Sequence, residues 1–547
     1  MRLLSQYVFS LAAAFTVLAA PEVKLGRTTV IGRDIPSLQQ EFFGGLPYAE
    51  PPLGTLRWKP PVFKEWIDAD TFNATEYALP CLQYSLSEDQ SSEDCLTLNV
   101  LRPSGVSSRD RLPIFFWNPG AGFFGADGRA NASGIVAQSV QRGTPIIYVS
   151  FNYRVGAFGF PQGQEIVDAR AQNLGLKDEL AALAWIQKHI GKFGGDKDKV
   201  TVGGGSAGGI INSILFLDPD FKKYARAGIF ESGTASTSLV RPAQARQGLW
   251  DLFVSGVPSC AKKAGTLHTL DCLRSVNTTE LVQGTIKAME NWNEFIPWNP
   301  TIDGPGGVYP FYPSALLPFG HFAKLPFLTG TCLDEGTVFT TPLVNYTEDV
   351  LRQIFKSNYS ATRAKPETFQ RVMNHMLKLY PDDPALGSPF GTGNETFGLS
   401  PGYKRAAALN GDASFLSQRR YWQERAAQWG VKSYGYHWTT ARANASLAPY
   451  LGVSHESEYS YLFGGAVDHE TPGAADLQPL IIDYWVSFIT SLNPSDGKGI
   501  ERTTWTPYSS RNLAVLQFHA ENTTMVPDNF RQKQTDFINA NPLVFGH

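Results

Sequence analysis

Apolar and polar positions along this chain follow two rhythms. Nearly continuous apolar runs, Pro113-Ile114-Phe115-Phe116-Trp117 and Pro145-Ile146-Ile147-Tyr148-Val149-Ser150-Phe151, suit strands covered on both faces. Residues 96–100 alternate instead, as a strand with one better-covered face does. Between residues 176 and 193 the apolar positions Leu180, Leu183, Ala184 and Ile190 recur at helical spacing, and Gly194-Gly195 stops them. Strand-like runs at 227–231, 326–331 and 432–439 then alternate with helical stretches. That order predicts an α/β fold with a large, mostly parallel central sheet and helices on both faces. Residues 23–35 read as an edge hairpin, and 43–58 as a rigid Pro/Gly segment. The stretches 240–320 and 345–430 break the alternation and are expected to be helical insertions.

One stretch joins both rhythms. Lys199-Val200-Thr201-Val202 is a strand that breaks into Gly203-Gly204-Gly205-Ser206-Ala207-Gly208-Gly209, and the apolar run 210–217 continues as a helix. Residues 204–208 fit G-x-S-x-G, the sharp strand-to-helix turn that exposes a nucleophilic serine. Glycines are needed there because strand and helix close tightly around a strained residue. The helix N-terminus behind the serine offers oriented N–H groups where an oxyanion can form.

Composition narrows the setting. With 547 residues, 43% of them hydrophobic, the chain can bury a large core, and no linker, repeat or charge run divides it. A net charge of −3 and no basic patch argue against nucleic acid or a membrane surface as partner. Arg2, an apolar run over 3–18 and Ala19-Ala20 read as a signal peptide over residues 1–20, cleaved after Ala19 or Ala20. The expectation is a secreted, soluble protein with one domain over 21–547 and no stable membrane anchor. Sequons for N-glycosylation at Asn73, Asn131, Asn277, Asn345, Asn358, Asn394, Asn444 and Asn522 fit that route. So do two close cysteine pairs, Cys81/Cys95 and Cys260/Cys272, read as local disulfides, with Cys332 left over.

Several further strings carry a resemblance. Pro47-Tyr48-Ala49-Glu50-Pro51-Pro52, Glu93-Asp94-Cys95-Leu96, Asn152-Tyr153-Arg154-Val155-Gly156, Phe193-Gly194-Gly195-Asp196 and Trp505-Thr506-Pro507-Tyr508 occur in this order around the serine turn. Together they resemble the type-B carboxylesterase/lipase family, which includes cholinesterases and fungal-type lipases, over nearly the whole mature chain. The resemblance implies an α/β-hydrolase fold with its insertions over the active site. It also implies a triad in the order Ser206, Glu335, His455. His455 lies in Gly452-Val453-Ser454-His455-Glu456-Ser457-Glu458, with His469 as fallback and His437 reading as a packing residue. Glu335 follows the strand at 326–331, with Asp334 as its rival. The oxyanion hole is expected from the N–H groups of Ala121, Gly122 and Ala207. Ser232 and Glu458 are expected behind the triad, Arg57 with Glu93 as a buried ion pair, and Cys332 as a packing thiol.

Three departures from the family's pattern bear on the substrate. Gly205 stands where the family usually carries glutamate, so the site is expected to be less anionic. Pro119-Gly120-Ala121-Gly122 replaces His-Gly-Gly-Gly and leaves the expected donors in place. The loop 82–94 is short and has no tryptophan, unlike a choline-binding platform or a long lipase lid. The expected function is a serine carboxylic-ester hydrolase acting on neutral small-molecule esters through an acyl-enzyme, with no metal or cofactor. A lipase, an acyl-transferring or lactone-forming enzyme, and a non-catalytic adhesion protein are the alternatives.

Overall fold

A strand covered on both faces sends alternate side chains into two separate cores, and this chain does so. The computed structural model describes residues 20–87, 89–294, 296–358, 364–443, 445–465, 467 and 471–547. Residues 1–19 of the expected signal peptide, Asn444 and His469 lie outside the described residues, as does the side chain of Asn358. The strands run in chain order as β1 (Glu22–Leu25), β2 (Thr28–Ile31), β3 (Arg33–Ile35), β4 (Gln40–Pro47), β5 (Thr71–Asn73), β6 (Thr97–Pro103) and β7 (Leu112–Asn118). They continue as β8 (Ile147–Phe151), β9 (Gly195–Gly205), β10 (Ala227–Glu231), β11 (Phe327–Cys332), β12 (Ser433–Trp438), β13 (Ala514–Phe518) and β14 (Thr524–Pro527).

Eleven of them form one sheet in the order β14-β13-β12-β11-β10-β9-β7-β8-β6-β4-β3. From β8 through β13 every neighbouring pair in that order is parallel. Antiparallel strands close both edges. The predicted edge hairpin is split: β1 and β2 pair with β5 in a small separate sheet, and only β3 joins the large one.

Alternation in the central strands explains the two cores. Ile114 and Phe116 of β7, Ile147 and Val149 of β8, and Val200 and Val202 of β9 enter one apolar cluster. Phe115, Trp117, Tyr148 and Ile229 enter the other, on the opposite face. Each such side chain contributes about 1.5–3 kcal/mol by leaving water. The helix Leu174–His189 covers the first face and Ala474–Ser491 the second. The insertions are helical, as expected. Those in the second stretch (Glu348–Asn358, Pro366–Leu379, Gly402–Gly411) gather round a third cluster centred on Phe355, Met373 and Leu409. Cys81–Cys95 and Cys260–Cys272 are disulfide-bonded, and Cys332 is a buried free thiol.

Candidate active site

The serine turn forms because its glycines permit contact at backbone distance. A Cβ on Gly208 would sit 2.1 Å from the Asn118 carbonyl oxygen, and one on Gly204 would sit 2.5 Å from the Gly208 carbonyl carbon. With those side chains absent, the helix Ala207–Leu215 packs directly against the end of β9. Ser206 takes a φ of 51°, a left-handed conformation unusual for a residue with a Cβ. Its N–H donates to the Glu231 carbonyl at 2.8 Å, pinning the turn to β10.

Consecutive strands deliver the other groups at the same sheet edge. Glu335, just beyond β11, is buried, and both carboxylate oxygens are used. Oε1 accepts from the Ser232 hydroxyl at 2.6 Å and the Cys332 N–H at 2.7 Å, while Oε2 meets His455 Nδ1 at 2.5 Å. A carboxylate at Nδ1 makes that nitrogen the donor and leaves Nε2 as acceptor. Nε2 is buried and has no partner among the described residues. Burial alone would push His455 down. The charge and hydrogen bond of Glu335, with the charges of Glu456 and Glu458, outweigh it and hold the imidazole above its ordinary range. Phe339 and Phe415 pack against the ring, each centroid 4.9 Å away. Phe415 lies in a π-helical turn, Asp412–Leu416, a local widening of the helix that recurs at functional sites.

The rival acid serves another purpose. Asp334 Oδ1 accepts from Ser388 Oγ and Phe390 N, and Oδ2 from Val453 N at 2.9 Å. Asp334 N also donates to the Val453 carbonyl. Asp334 therefore anchors the histidine loop by its backbone, with its own pKa pushed up to about 6 by burial. His437 lies in β12 against Phe530, and burial pulls it down to about 4.

Glu458 accepts from Tyr436 at 2.7 Å and, at 2.9 Å, from the thiol of Cys332, the residue whose N–H holds Glu335. Cys332 is thus a hydrogen-bond donor as well as a packing group. Glu231, which sequence reading passed over, is fully buried at the end of β10 and accepts from Trp485 Nε1 at 2.7 Å. Burial first, and then the Glu458 charge, raise it well above the carboxylate range.

The oxyanion candidates sit on a loop held by Tyr153, whose hydroxyl donates to the Pro119 carbonyl at 3.0 Å, and by Gly156 N on the Phe123 carbonyl. Ala121, Gly122 and Phe123 are all left-handed, with φ of 79°, 65° and 65°. No hydrogen bond among the described residues uses the N–H of Ala121, Gly122 or Ala207. Gly122, Ser206 and Ala207 line a cavity of about 480 Å³, a size suited to a small organic ligand; Ala121 does not line it. Its other walls come largely from both insertions: Arg246, Trp292 and Ile296 from the first, Ile354 and Phe415 from the second.

The expectation of a less anionic site does not hold. The Glu456 carboxylate lies 3.8 Å from where a Cβ on Gly205 would be, so a negative side chain occupies that region from a different segment. Arg57 and Glu93 do form a buried bidentate pair, both contacts at 2.7 Å. The described sequon residues Asn73, Asn131, Asn277, Asn345, Asn394 and Asn522 are all exposed.

Comparisons with known proteins place the whole chain in a family. The Carboxylesterase family model matches residues 19–538. Secreted lipase 1 of Botryotinia fuckeliana is 31% identical over 96% of this chain and 93% of its own length. Secreted triacylglycerol lipase LIP1 of Gibberella zeae is 30% identical over 94% of this chain and 89% of its own. Among solved structures, Aspergillus niger EstA superposes with a TM-score of 0.83 at 24% identity, covering 97% of this chain and 99% of that one. A thermophilic PNB esterase superposes at 0.76 and 25% identity, covering 95% and 100%. The chain belongs to the carboxylesterase family, has the α/β-hydrolase fold and is a carboxylic-ester hydrolase.

Proposed function

We propose that this protein is a secreted serine esterase in which Ser206 is the nucleophile, His455 the general base and Glu335 the orienting acid. The observation that carries the reading is the Glu335 carboxylate, locked by Ser232 and Cys332 N so that its second oxygen fixes Nδ1 of His455. His455 Nε2 takes the Ser206 proton as Oγ attacks the ester carbonyl. The oxyanion is received by the N–H groups of Ala207, Gly122 and Ala121, each contributing about 3 kcal/mol to transition-state stabilisation. Nε2 then returns the proton to the leaving alcohol, and water discharges the acyl-enzyme by the same route in reverse. No step in this sequence calls on a metal or organic cofactor.

Secretion is supported by the N-terminal leader over 1–20, the exposed sequons, the two disulfides and the names of the relatives. No described helix is long and apolar enough to cross a membrane. The leader precedes a single catalytic domain over 21–547.

The test is a panel of p-nitrophenyl esters of rising acyl length, run with wild type and Ser206→Ala, alongside phosphonate labelling. Labelling of Ser206 and loss of all hydrolysis in Ser206→Ala are expected; hydrolysis that survives in Ser206→Ala overturns the assignment. The lipase names of the relatives favour a second reading, hydrolysis at a lipid–water interface. Activity that rises steeply only beyond the substrate's solubility limit selects it over the soluble esterase.

A further inference from the structure

Gly120 lies against the Gly205–Ser206 turn, and one carboxylate lies near both glycines. Glu456 Oε1 is 2.9 Å from the place a Cβ on Gly120 would take, a point that is also 3.3 Å from Ser206 Cβ and 2.8 Å from the Gly205 carbonyl. It is the nearest atom, at 3.8 Å, to a Cβ on Gly205, with the Trp117 ring at 3.9 Å. The glycine at 205 is therefore not demanded by its backbone or its first shell of contacts, because 3.8 Å is ordinary van der Waals separation. What the surroundings exclude is a longer side chain, which would compete with Glu456 for the same space. Glu456 itself has a φ of 62°, a conformation that glycine adopts without strain and glutamate does not. A strained residue in direct sequence with His455, its carboxylate against the nucleophile turn, is a charge placed there at a cost.

We infer that Glu456 is the electrostatic positioning residue of this site, supplying from the histidine loop the negative charge that Gly205 does not supply from the serine turn. The inference rests on the Ser206/His455 reading above and assigns a role to a residue outside that triad. In the transition state His455 becomes an imidazolium, and a carboxylate beside Ser206 favours that cation. His455 is faced by Glu335 from the turn after β11, by Glu456 and Glu458 on its own loop, and by the rings of Phe339 and Phe415. Glu231, at the end of β10, and Tyr459 face Glu456 in turn. Glu335 accepts from the Ser232 hydroxyl and Cys332 N–H, and Glu458 from the Tyr436 hydroxyl and the Cys332 thiol. Glu456 is partly buried and lies against the serine turn rather than in the wall of the cavity.

The experiment compares wild type, Glu456→Gln, Glu456→Gly and the relocated pair Gly205→Glu/Glu456→Gly, after each is shown to melt as wild type does. Phosphonate titration comes first. One equivalent bound per chain keeps the triad reading standing on its own evidence, so a failure of that reading is told apart from a failure of this one. The pH profile of kcat/KM is then measured with a neutral p-nitrophenyl ester. His455 must be neutral to act, so the acid limb reports its pKa. Removing a nearby negative charge lowers that pKa, and in Glu456→Gln the limb is expected to move to lower pH by roughly half to one unit. With it, kcat is expected to fall about three- to tenfold and KM to stay near wild type. The relocated pair is expected to return both limb and kcat toward wild type. A limb that stays put in a fully titrating Glu456→Gln enzyme overturns the proposal. So does an equally stable relocated pair whose limb remains where Glu456→Gly alone leaves it.

Discussion

Glu335→Gln changes one atom and separates two things that this carboxylate does. In the wild type Oε1 accepts from two donors, the Ser232 hydroxyl and the Cys332 N–H, so in the variant the amide oxygen must take that place. The amide NH₂ is then forced to where Oε2 met His455 Nδ1. A donor facing Nδ1 makes Nδ1 the acceptor and puts the ring proton on Nε2, the tautomer that cannot accept from Ser206. The charge is lost as well: two unit charges about 4 Å apart at an effective dielectric near 20 interact by ~4 kcal/mol, roughly a thousandfold in rate. The tautomer and the charge act on the same step and are not additive, so kcat is expected to fall by about 10³–10⁴ with KM for a short ester little changed. The assay is steady-state hydrolysis of p-nitrophenyl butyrate, corrected by phosphonate titration for folded sites. A variant that titrates fully and keeps kcat within about tenfold of wild type refutes the role given to Glu335.

Three further outcomes follow from other parts of the molecule. Gly208→Ala places a Cβ 2.1 Å from the Asn118 carbonyl oxygen, a backbone atom that cannot yield, so the variant is expected to yield no phosphonate-titratable enzyme. Arg57→Met strands Glu93 in a buried place with only the Thr278 hydroxyl left to it among the described residues. The cost is about 3–5 kcal/mol, seen as a lower melting temperature at fixed scan rate, and Arg57→Met/Glu93→Leu is expected to recover much of it. Glu231 has its folded pKa raised above the unfolded value, so its contribution to stability is present at acid pH and is lost as pH climbs from the ordinary glutamate range toward that raised value. Glu231→Gln keeps an acceptor for Trp485 and removes this loss, so its melting temperature relative to wild type is expected to rise as pH climbs above the ordinary glutamate range.

The chemistry that lies in short strings was legible in the sequence, because local backbone demands wrote it there. Gly204 and Gly208 are glycines for a steric reason that any strand-to-helix turn of this kind imposes, and so Ser206 stood out. Apolar runs at β7 and β8 announced a sheet buried on both faces for the same kind of reason. What pairing adds was not legible. Residues 120, 205 and 456 meet only after the sheet has formed, so Gly205 was read as a missing charge when the charge had come from elsewhere. Glu231 sits in a strand like any other apolar-flanked residue, and only its burial beside Trp485 and Glu458 raises its pKa. The adjacent acids Asp334 and Glu335 were inseparable in one dimension, because their difference is one of direction.

That difference in direction leads to a prediction of its own. Asp334 ties together two segments through three donors: Ser388 and Phe390 from the second insertion, and Val453 from the histidine loop, each donating to its carboxylate. Its neighbour holds the ring of His455, so two successive residues fix the base, one by its backbone and one by its imidazole. In Asp334→Asn the amide oxygen stays with the two donors at Oδ1, and the NH₂ is turned against the Val453 N–H. A buried donor loses its acceptor there, which costs about 1–3 kcal/mol and loosens the loop just before His455. The catalytic consequence differs in kind from that of Glu335→Gln. The Glu335, Glu456 and Glu458 charges that set the imidazole pKa remain, so kcat is expected to fall while the acid limb of the pH profile stays where it was. In Glu335→Gln the limb moves to lower pH, because the largest of those charges is gone. An Asp334→Asn enzyme whose limb shifts as far as that of Glu335→Gln would mean that the two carboxylates act on the base as one charged pair, and the division between ring and loop would have to be abandoned.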